Sequence, residues 1–143
     1  MEASDGFALN GALADEAIGA VDMPLCRVLL RDEARFPWLV LVPRRPGLRE
    51  TVDLLPGDRG RLWREAEAVG AALLAVTGGA KLNTAAFGNL CPQLHLHLIA
   101  RSPGDAAWAG SAVGLPRTSY SAGVPPWWDA LLTRLSLSAR QSP

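Results

Sequence analysis

One stretch decides the fold: Cys91-Pro92-Gln93-Leu94-His95-Leu96-His97-Leu98-Ile99-Ala100-Arg101. Side chains of a β-strand alternate between two faces, which predicts that Leu94, Leu96 and Leu98 share one face. The opposite face then carries Gln93, His95, His97 and Ile99. The leucine face indicates a strand that is buried on one side, whereas the polar face needs another explanation.

The sequence contains two histidines, and both lie on this polar face. Residues two positions apart on a strand are roughly 6.5–7 Å from each other, so the two imidazoles are spaced to bind one small charged group. Taken alone, the pair has three explanations: hydrogen-bonded structural histidines, ligands of a metal such as zinc, or groups that act in nucleophilic catalysis. A zinc site needs a third and usually a fourth ligand, for which Cys91 or a distant carboxylate would be required.

Upstream of this stretch, the apolar runs 25–30 and 36–42 predict two strands joined as an antiparallel hairpin. A helix is predicted to open near residues 54–58, with the Asp58 carboxylate accepting from the free amides of its first turn. One apolar stripe follows at helical spacing, formed by Leu62, Ala66, Val69, Leu73 and Val76. Gly78-Gly79 is the predicted end of this helix.

The remaining segments complete the predicted architecture. Residues 80–90 are expected to form a further strand, residues 125–139 a C-terminal helical extension, and residues 1–23 a short helix or an extended arm. This order predicts an α+β fold, an antiparallel β-sheet with helices packed on one side. We expect a single domain over residues 1–143, with its core at about residues 24–114.

Composition limits the classes of function. A chain of 143 residues that is 49% hydrophobic can fill one core. Lys+Arg and Asp+Glu both number 14, so no net positive field is available to bind nucleic acid. No run approaches the ~20 apolar residues that span a membrane. Without a signal-peptide pattern, and with Cys26 and Cys91 expected as reduced thiols, the protein is expected to be cytoplasmic.

Residues 92–101 resemble the signature of the histidine triad (HIT) superfamily of nucleotide hydrolases and transferases, His-φ-His-φ-His-φ-φ, in which φ is apolar. The sequence is most similar to the bacterial, diadenosine polyphosphate hydrolase-like branch, in which Gln replaces the first histidine. The similarity extends to residues 25–30, 36–44, 81–89 and 105–108, and so covers about residues 24–114. It implies a HIT-like fold and a symmetric homodimer that binds a small nucleotide. We expect neither a cofactor nor a metal ion.

In that family the middle histidine of the motif attacks the α-phosphorus of a nucleotide, and by position this is His95. Imidazole has an unperturbed pKa near ~6.5, so it is largely a free base at pH 7 and can act as a nucleophile. The resemblance implies a nucleotidyl-histidine intermediate that water or another acceptor resolves. His97 is expected to bond a phosphoryl oxygen or to orient the nucleophile's ring. The expected phosphate-binding amides are those of Asn83, Asn89 and Gln93.

The sequence departs from the family pattern at two places. Gln93 cannot become a cation, and the family's frequent fourth histidine, further upstream, is missing. No residue is therefore assigned to protonate the leaving group, and we expect turnover on good leaving groups. The substrate classes are dinucleoside polyphosphates or nucleoside phosphoramidates. Two alternatives stay open: a catalytically weak nucleotide-binding module of the same fold, and a His-x-His metal-binding protein.

Overall fold

The computed structural model of the protein describes residues 6–143. Within these residues, one antiparallel sheet contains five strands, β1 (Ala17–Asp22), β2 (Cys26–Arg31), β3 (Trp38–Pro43), β4 (Lys81–Ala85) and β5 (Leu96–Arg101). Their order across the sheet is β1-β2-β3-β5-β4. The helices are α1 (Gly11–Asp15), α2 (Pro56–Thr77) and α3 (Pro126–Leu135), with a 3₁₀ turn at Thr51–Asp53. The predicted α+β fold, an antiparallel sheet with helices against it, is confirmed.

Strand β5, which contains His97, lies inside the sheet rather than at its edge. β5 pairs with β3 on one side, where His97 is opposite Val40, and with β4 on the other, where His97 is opposite Ala85. The predicted hairpin of β2 and β3 is also present, with Cys26 opposite Pro43. Because β5 is bonded along both edges, the direction of each of its side chains is fixed.

The leucine face of β5 forms the larger core, as the alternation predicts. Leu94, Leu96 and Leu98 pack beneath α2 and α3. The helices contribute Leu62, Ala66, Val69, Leu73, Trp128 and Leu131 to this core. Burial of one leucine stabilises a fold by roughly 1.5–3 kcal/mol. This face therefore anchors the strand, and the opposite face is left free to carry polar groups.

The opposite face of the sheet holds a smaller apolar cluster around the histidines. It contains Leu13 of α1 together with Leu29, Trp38, Val40 and Ile99 from the strands. The long helices α2 and α3 thus pack on one side, whereas the five-residue helix α1 lies on the other. α1 covers only part of this face, which leaves a cavity over the histidines.

Residues 17–22 form the edge strand β1, although a short helix or an arm was predicted for residues 1–23. The short helix is present as α1, where the Asn10 side chain accepts from the Ala12 amide at 2.9 Å. The segment of β1 is rich in alanine and glycine, which weakens the alternation that indicates a strand. At Gly19 an added Cβ would lie 3.2 Å from the Trp128 ring, so packing requires a small residue there. Residues 1–5 of the predicted segment lie outside the described residues.

Three other predicted boundaries are corrected. β4 ends at Ala85 rather than at residue 90, and β5 begins at Leu96, so His95 immediately precedes the strand. The prediction for Asp58 is wrong: α2 begins at Pro56 with Leu55 in the N-cap position. The Asp58 carboxylate instead accepts from Arg45 at 2.8 Å. Within residues 6–143, no helix has both the length and the apolar character needed to cross a membrane.

Candidate active site

The orientation of the His95 ring is set by the backbone just before it. Nδ1 of His95 lies 2.6 Å from the carbonyl oxygen of Gln93. A carbonyl oxygen only accepts, so this bond requires the proton on Nδ1. In a neutral imidazole the other nitrogen, Nε2, then carries the lone pair. In the neutral His95 ring, Nε2 is therefore the nitrogen that can accept a proton or bond an electrophile.

His97 is held in the opposite tautomer. The indole Nε1–H of Trp38 donates to Nδ1 of His97 at 3.0 Å, so the proton of the neutral ring is on Nε2. Burial, together with the charges of His95 and Arg31, lowers the pKa of His97 to about 4. At pH 7 the His97 ring is therefore neutral and offers one N–H donor.

The two imidazoles lie against each other and against one cavity. Their ring centroids are 5.0 Å apart in an edge-on arrangement, and each residue is 6% exposed. The cavity has a volume of about 530 Å³, within the range of small-molecule sites. Its walls are formed by Ala12, Leu13, Glu16, Ala17, Leu29, Arg31, Val40, Phe87–Cys91 and Val113–Leu115. One ring with a lone pair on Nε2 and one ring with an Nε2–H donor thus line a mostly apolar space of ligand size.

Arg31, at the end of β2, is a cavity residue that the sequence analysis missed. Its guanidinium lies 4.3 Å from the centroid of the Trp38 ring, and Nη1 is 3.3 Å from the Glu16 carboxylate. Its Nε is buried, and within residues 6–143 no hydrogen-bond partner meets it. Burial lowers the pKa of Arg31, although an arginine stays charged at pH 7. The cavity therefore contains a fixed positive charge beside the histidines.

Phe87 is a second missed residue. Its ring centroid lies 6.0 Å from that of His97, and the residue is half exposed. It stands in the loop between β4 and β5, on the wall between the main cavity and a neighbouring one of about 340 Å³. Neither Arg31 nor Phe87 belongs to the histidine motif. The one sequence signal concerned Arg31, which lies two residues after Leu29 and therefore on the same face of the strand.

Of the three amides predicted to bind phosphate, one lines the main cavity. Asn89 is exposed on the cavity wall. Asn83 lines the neighbouring cavity, and its Oδ1 accepts from Arg101 at 3.0 Å. Gln93 bonds the N-terminal segment at both ends of its amide: Oε1 accepts from the Asn10 amide and Nε2 donates to the Ala8 carbonyl, each at 2.8 Å.

The arginine at the end of β5 has a structural partner. Arg101 is buried and donates to both oxygens of Asp105 at 2.8 Å, and to the carbonyl of Gly110 at 2.8 Å. These hydrogen bonds from Arg101 hold the pKa of Asp105 well below its usual range. Arg101 therefore fixes the loop that follows β5.

The described residues give the metal alternative little support. Among residues 6–143, no three His, Cys, Asp or Glu side chains gather into a group that could hold a metal ion. Cys91 lines the cavity as a free thiol, and the described part of the chain does not supply the further ligand that a structural or catalytic zinc site requires.

Comparison with known proteins gives a consistent result. The model of the HIT domain family matches residues 16–104. The chain is similar to the solved structure of a histidine triad protein from Bradyrhizobium japonicum, at 39% identity over 91% of this chain and 96% of that chain, with a TM-score of 0.82. A histidine triad (HIT) protein from Sinorhizobium meliloti matches at 34% identity over 92% of this chain and 96% of that chain, with a TM-score of 0.81. A histidine triad protein from Marinobacter aquaeolei matches at 37% identity over 90% of this chain and 93% of that chain, with a TM-score of 0.80.

A comparison with curated proteins gives no match. With this fold, this site and these relatives, the chain belongs to the HIT domain family.

Proposed function

We propose that the protein is a nucleotide hydrolase or nucleotidyl transferase that acts at the α-phosphate through a nucleotidyl-histidine intermediate on His95. The family is generally one of nucleotide hydrolases and transferases, which supports a nucleotide as the ligand. The observation that carries the proposal is the 2.6 Å contact between His95 Nδ1 and the Gln93 carbonyl. This contact leaves Nε2 as the unprotonated nitrogen of a ring that lines the cavity.

In the first step, Nε2 of His95 attacks the α-phosphorus. A P–N bond forms, the bond from phosphorus to the leaving group breaks, and its electron pair departs with the leaving group. The ring becomes cationic, so its Nδ1–H donates more strongly to the Gln93 carbonyl. The same hydrogen bond that sets the tautomer therefore also stabilises the charge that the step creates.

In the second step, water attacks the same phosphorus. The P–N bond breaks, its electron pair returns to Nε2, and the water gives one proton to solvent. His95 is then neutral again and the nucleoside monophosphate is free. If an acceptor hydroxyl takes the place of water, the same sequence transfers the nucleotidyl group.

The phosphoryl oxygens need fixed donors in both steps. We assign this role to the Nε2–H of His97 and to the amide of Asn89, which line the same cavity. The charge of Arg31 favours an anionic ligand there. We assign Asn83 and Gln93 to the construction of the site, because their side chains bond Arg101 and the N-terminal segment.

A non-catalytic nucleotide-binding module is the second candidate. It is favoured by one observation: the residue in the first position of the motif, Gln93, has its amide engaged away from the cavity. Steady-state turnover separates the two candidates. We expect a panel of dinucleoside polyphosphates and nucleoside phosphoramidates to include a substrate that His95→Ala turns over at least about 1000-fold more slowly. Tight nucleotide binding without His95-dependent turnover would favour the binding module.

We also propose a symmetric homodimer with the two sheets side by side, in the cytoplasm. In the described sheet, β4 has a neighbour on one side only, and Phe87 and Leu90 next to it are exposed. A free strand edge beside exposed apolar side chains suits pairing with a second copy. Light scattering coupled to gel filtration tests this assembly, and a monomer at micromolar concentration would contradict it.

A further inference from the structure

The indole of Trp38 makes one polar contact with the site. Trp38 is 2% exposed, and its Nε1–H donates to Nδ1 of His97 at 3.0 Å. An indole N–H donates and has no acceptor function, so the direction of this bond is unambiguous. The nitrogen of His97 that faces Trp38 must therefore be the one without a proton.

Trp38 is itself held firmly in place. It opens β3, where it is paired with Ile99 of β5. Phe36 packs edge-on against its ring at a centroid distance of 6.5 Å, and the Arg31 guanidinium lies over the ring, 4.3 Å from its centroid. Because the strand and two neighbours fix the indole, its N–H cannot turn away from His97.

This arrangement opposes a cationic His97. Protonation of the neutral ring adds a proton at Nδ1, and that proton would point at the Trp38 N–H. The result is a broken hydrogen bond and a buried donor without an acceptor, which is costly. The positive charge of Arg31 acts in the same direction. His97 is therefore kept as a neutral ring whose Nε2–H donates a hydrogen bond but does not give up its proton.

We propose that Trp38 is a positioning residue that fixes His97 as a neutral Nε2–H donor, and that the site consequently acts on polyphosphate-type substrates rather than on phosphoramidates. The second half of this statement rests on the proposed function of His95. A polyphosphate leaves as a stable anion and needs only hydrogen bonds to its oxygens. An amine leaves from phosphorus only when its nitrogen receives a proton, and a neutral His97 does not supply one.

The carboxylate of the described cavity wall and the His95 ring do not take over this task. Its carboxylate, Glu16, is 3.3 Å from the Arg31 guanidinium. Nδ1 of His95 already donates to the Gln93 carbonyl, and its Nε2 is the attacking atom. The two histidines thus have complementary tasks, one as nucleophile and the other as donor.

The tautomers can be read directly by long-range ¹H–¹⁵N NMR on histidine-labelled protein, because the chain has two histidines. We expect the wild-type spectrum at pH 7.5 to give Nδ1–H for His95 and Nε2–H for His97. In Trp38→Phe, which keeps a buried ring but removes the donor, we expect His97 to become a mixture of tautomers while His95 is unchanged. Trp128→Phe, a buried tryptophan in the core beneath the other face, is the matched control and should leave both rings unchanged.

A wild-type His97 that carries its proton on Nδ1 would overturn the assignment of Trp38. This outcome is measured on the wild-type protein alone, so it does not depend on whether a variant folds. An unchanged His97 tautomer in folded Trp38→Phe would overturn it as well. These spectra are recorded without substrate, so they test Trp38 independently of the chemistry at His95.

The substrate class is tested with a matched pair that shares one nucleoside: a dinucleoside polyphosphate and a phosphoramidate of a simple aliphatic amine. General acid catalysis contributes ~10²–10⁴-fold, so we expect kcat/KM to favour the polyphosphate by at least about 100-fold. Equal or faster turnover of the phosphoramidate would overturn the substrate assignment while leaving His95 as the nucleophile. Turnover of neither substrate would count against the proposed function and, with it, against the substrate class.

Discussion

The side chain of Gln93, three residues before β5, is hydrogen-bonded to the backbone of Asn10, the residue that caps α1. Its Oε1 accepts from the Asn10 amide at 2.8 Å, while Nε2 donates to the Ala8 carbonyl at the same distance. Residues 12, 13 and 16, in and just after α1, line the cavity. The Gln93 side chain therefore holds one wall of the cavity in place.

Gln93→Ala removes both of these hydrogen bonds. Each contributes about 0.5–1.5 kcal/mol, so the N-terminal wall is expected to loosen and KM to rise about 3- to 10-fold. We expect kcat to change less than KM, and amide hydrogen exchange in residues 8–13 to become faster. Gln141→Ala, in the exposed C-terminal tail, is the matched control. A fall in kcat at constant KM would indicate instead that the amide contacts phosphate in the transition state.

The pH dependence of stability is predicted to carry a signature of His97. The pKa of His97 in the folded protein is about 4, below the ordinary value of 6.5. Between these two pH values, the residue is therefore protonated in the unfolded chain but neutral in the folded protein. The stability associated with neutral His97 is present above pH 6.5 and is lost as pH falls from 6.5 towards 4. Over that window the free energy of unfolding should fall by up to about 1.4 kcal/mol per pH unit.

Denaturant unfolding between pH 7.5 and 4.5 measures this slope. His97→Asn keeps an acceptor for Trp38 but does not titrate, so its slope should be smaller than that of the wild type. Among residues 6–143, the charged or titratable groups that act on His97 are His95 and Arg31, and both are retained in this variant. Identical slopes for the two proteins would contradict a depressed pKa at His97.

Arg31→Met removes the positive charge from the cavity wall. Because this charge helps to lower the pKa of His97, the His97 titration should move upward, although burial still keeps it below 6.5. Loss of the cation should also weaken binding of an anionic nucleotide, by about tenfold in KM. Arg64→Met, on the exposed side of α2, serves as the control. NMR titration measures the shift of the His97 pKa, and steady-state kinetics measures KM. An unchanged KM would show that Arg31 does not contribute to nucleotide binding.

Arg101→Met tests whether the arginine of β5 is structural. Arg101 is 1% exposed and forms its ion pair with Asp105 at 2.8 Å. Removal of one partner of a buried ion pair costs about 3–5 kcal/mol, so we expect a loss of that order in the free energy of unfolding. We expect kcat of the folded variant to fall less than 3-fold, which corresponds to a rise of less than about 0.6 kcal/mol in the activation free energy. A selective loss of kcat with unchanged stability would place Arg101 at the phosphate instead.

Local periodicity explains which parts of the fold were predictable from the sequence. The alternation of leucines and histidines places Leu96 and His97 on opposite faces of β5, and the helical stripe of α2 faces the core. β1 was missed because its alanines and Gly19 give almost no alternation. Asp58 was assigned to a helix cap because its tertiary partner, Arg45, is 13 positions away in the sequence.

The site depends on contacts between residues that are still more distant along the chain. Trp38 bonds a histidine 59 positions away, and Gln93 bonds Asn10 across 83 positions. A motif identifies His95 and His97 because their spacing is local. The sequence does not reveal which nitrogen of each ring carries the proton, since that depends on the Gln93 carbonyl and on the Trp38 indole in the folded protein.

Covalent trapping tests the central claim most directly. The protein is mixed with a turned-over dinucleoside polyphosphate, quenched in alkali within milliseconds to seconds, and analysed by intact mass followed by peptide mapping. We predict one added nucleotidyl group per chain, on the peptide that contains His95. This adduct should be absent in His95→Ala and still formed in His97→Asn. Turnover without any adduct, or an adduct that persists in His95→Ala, would contradict nucleophilic attack by His95.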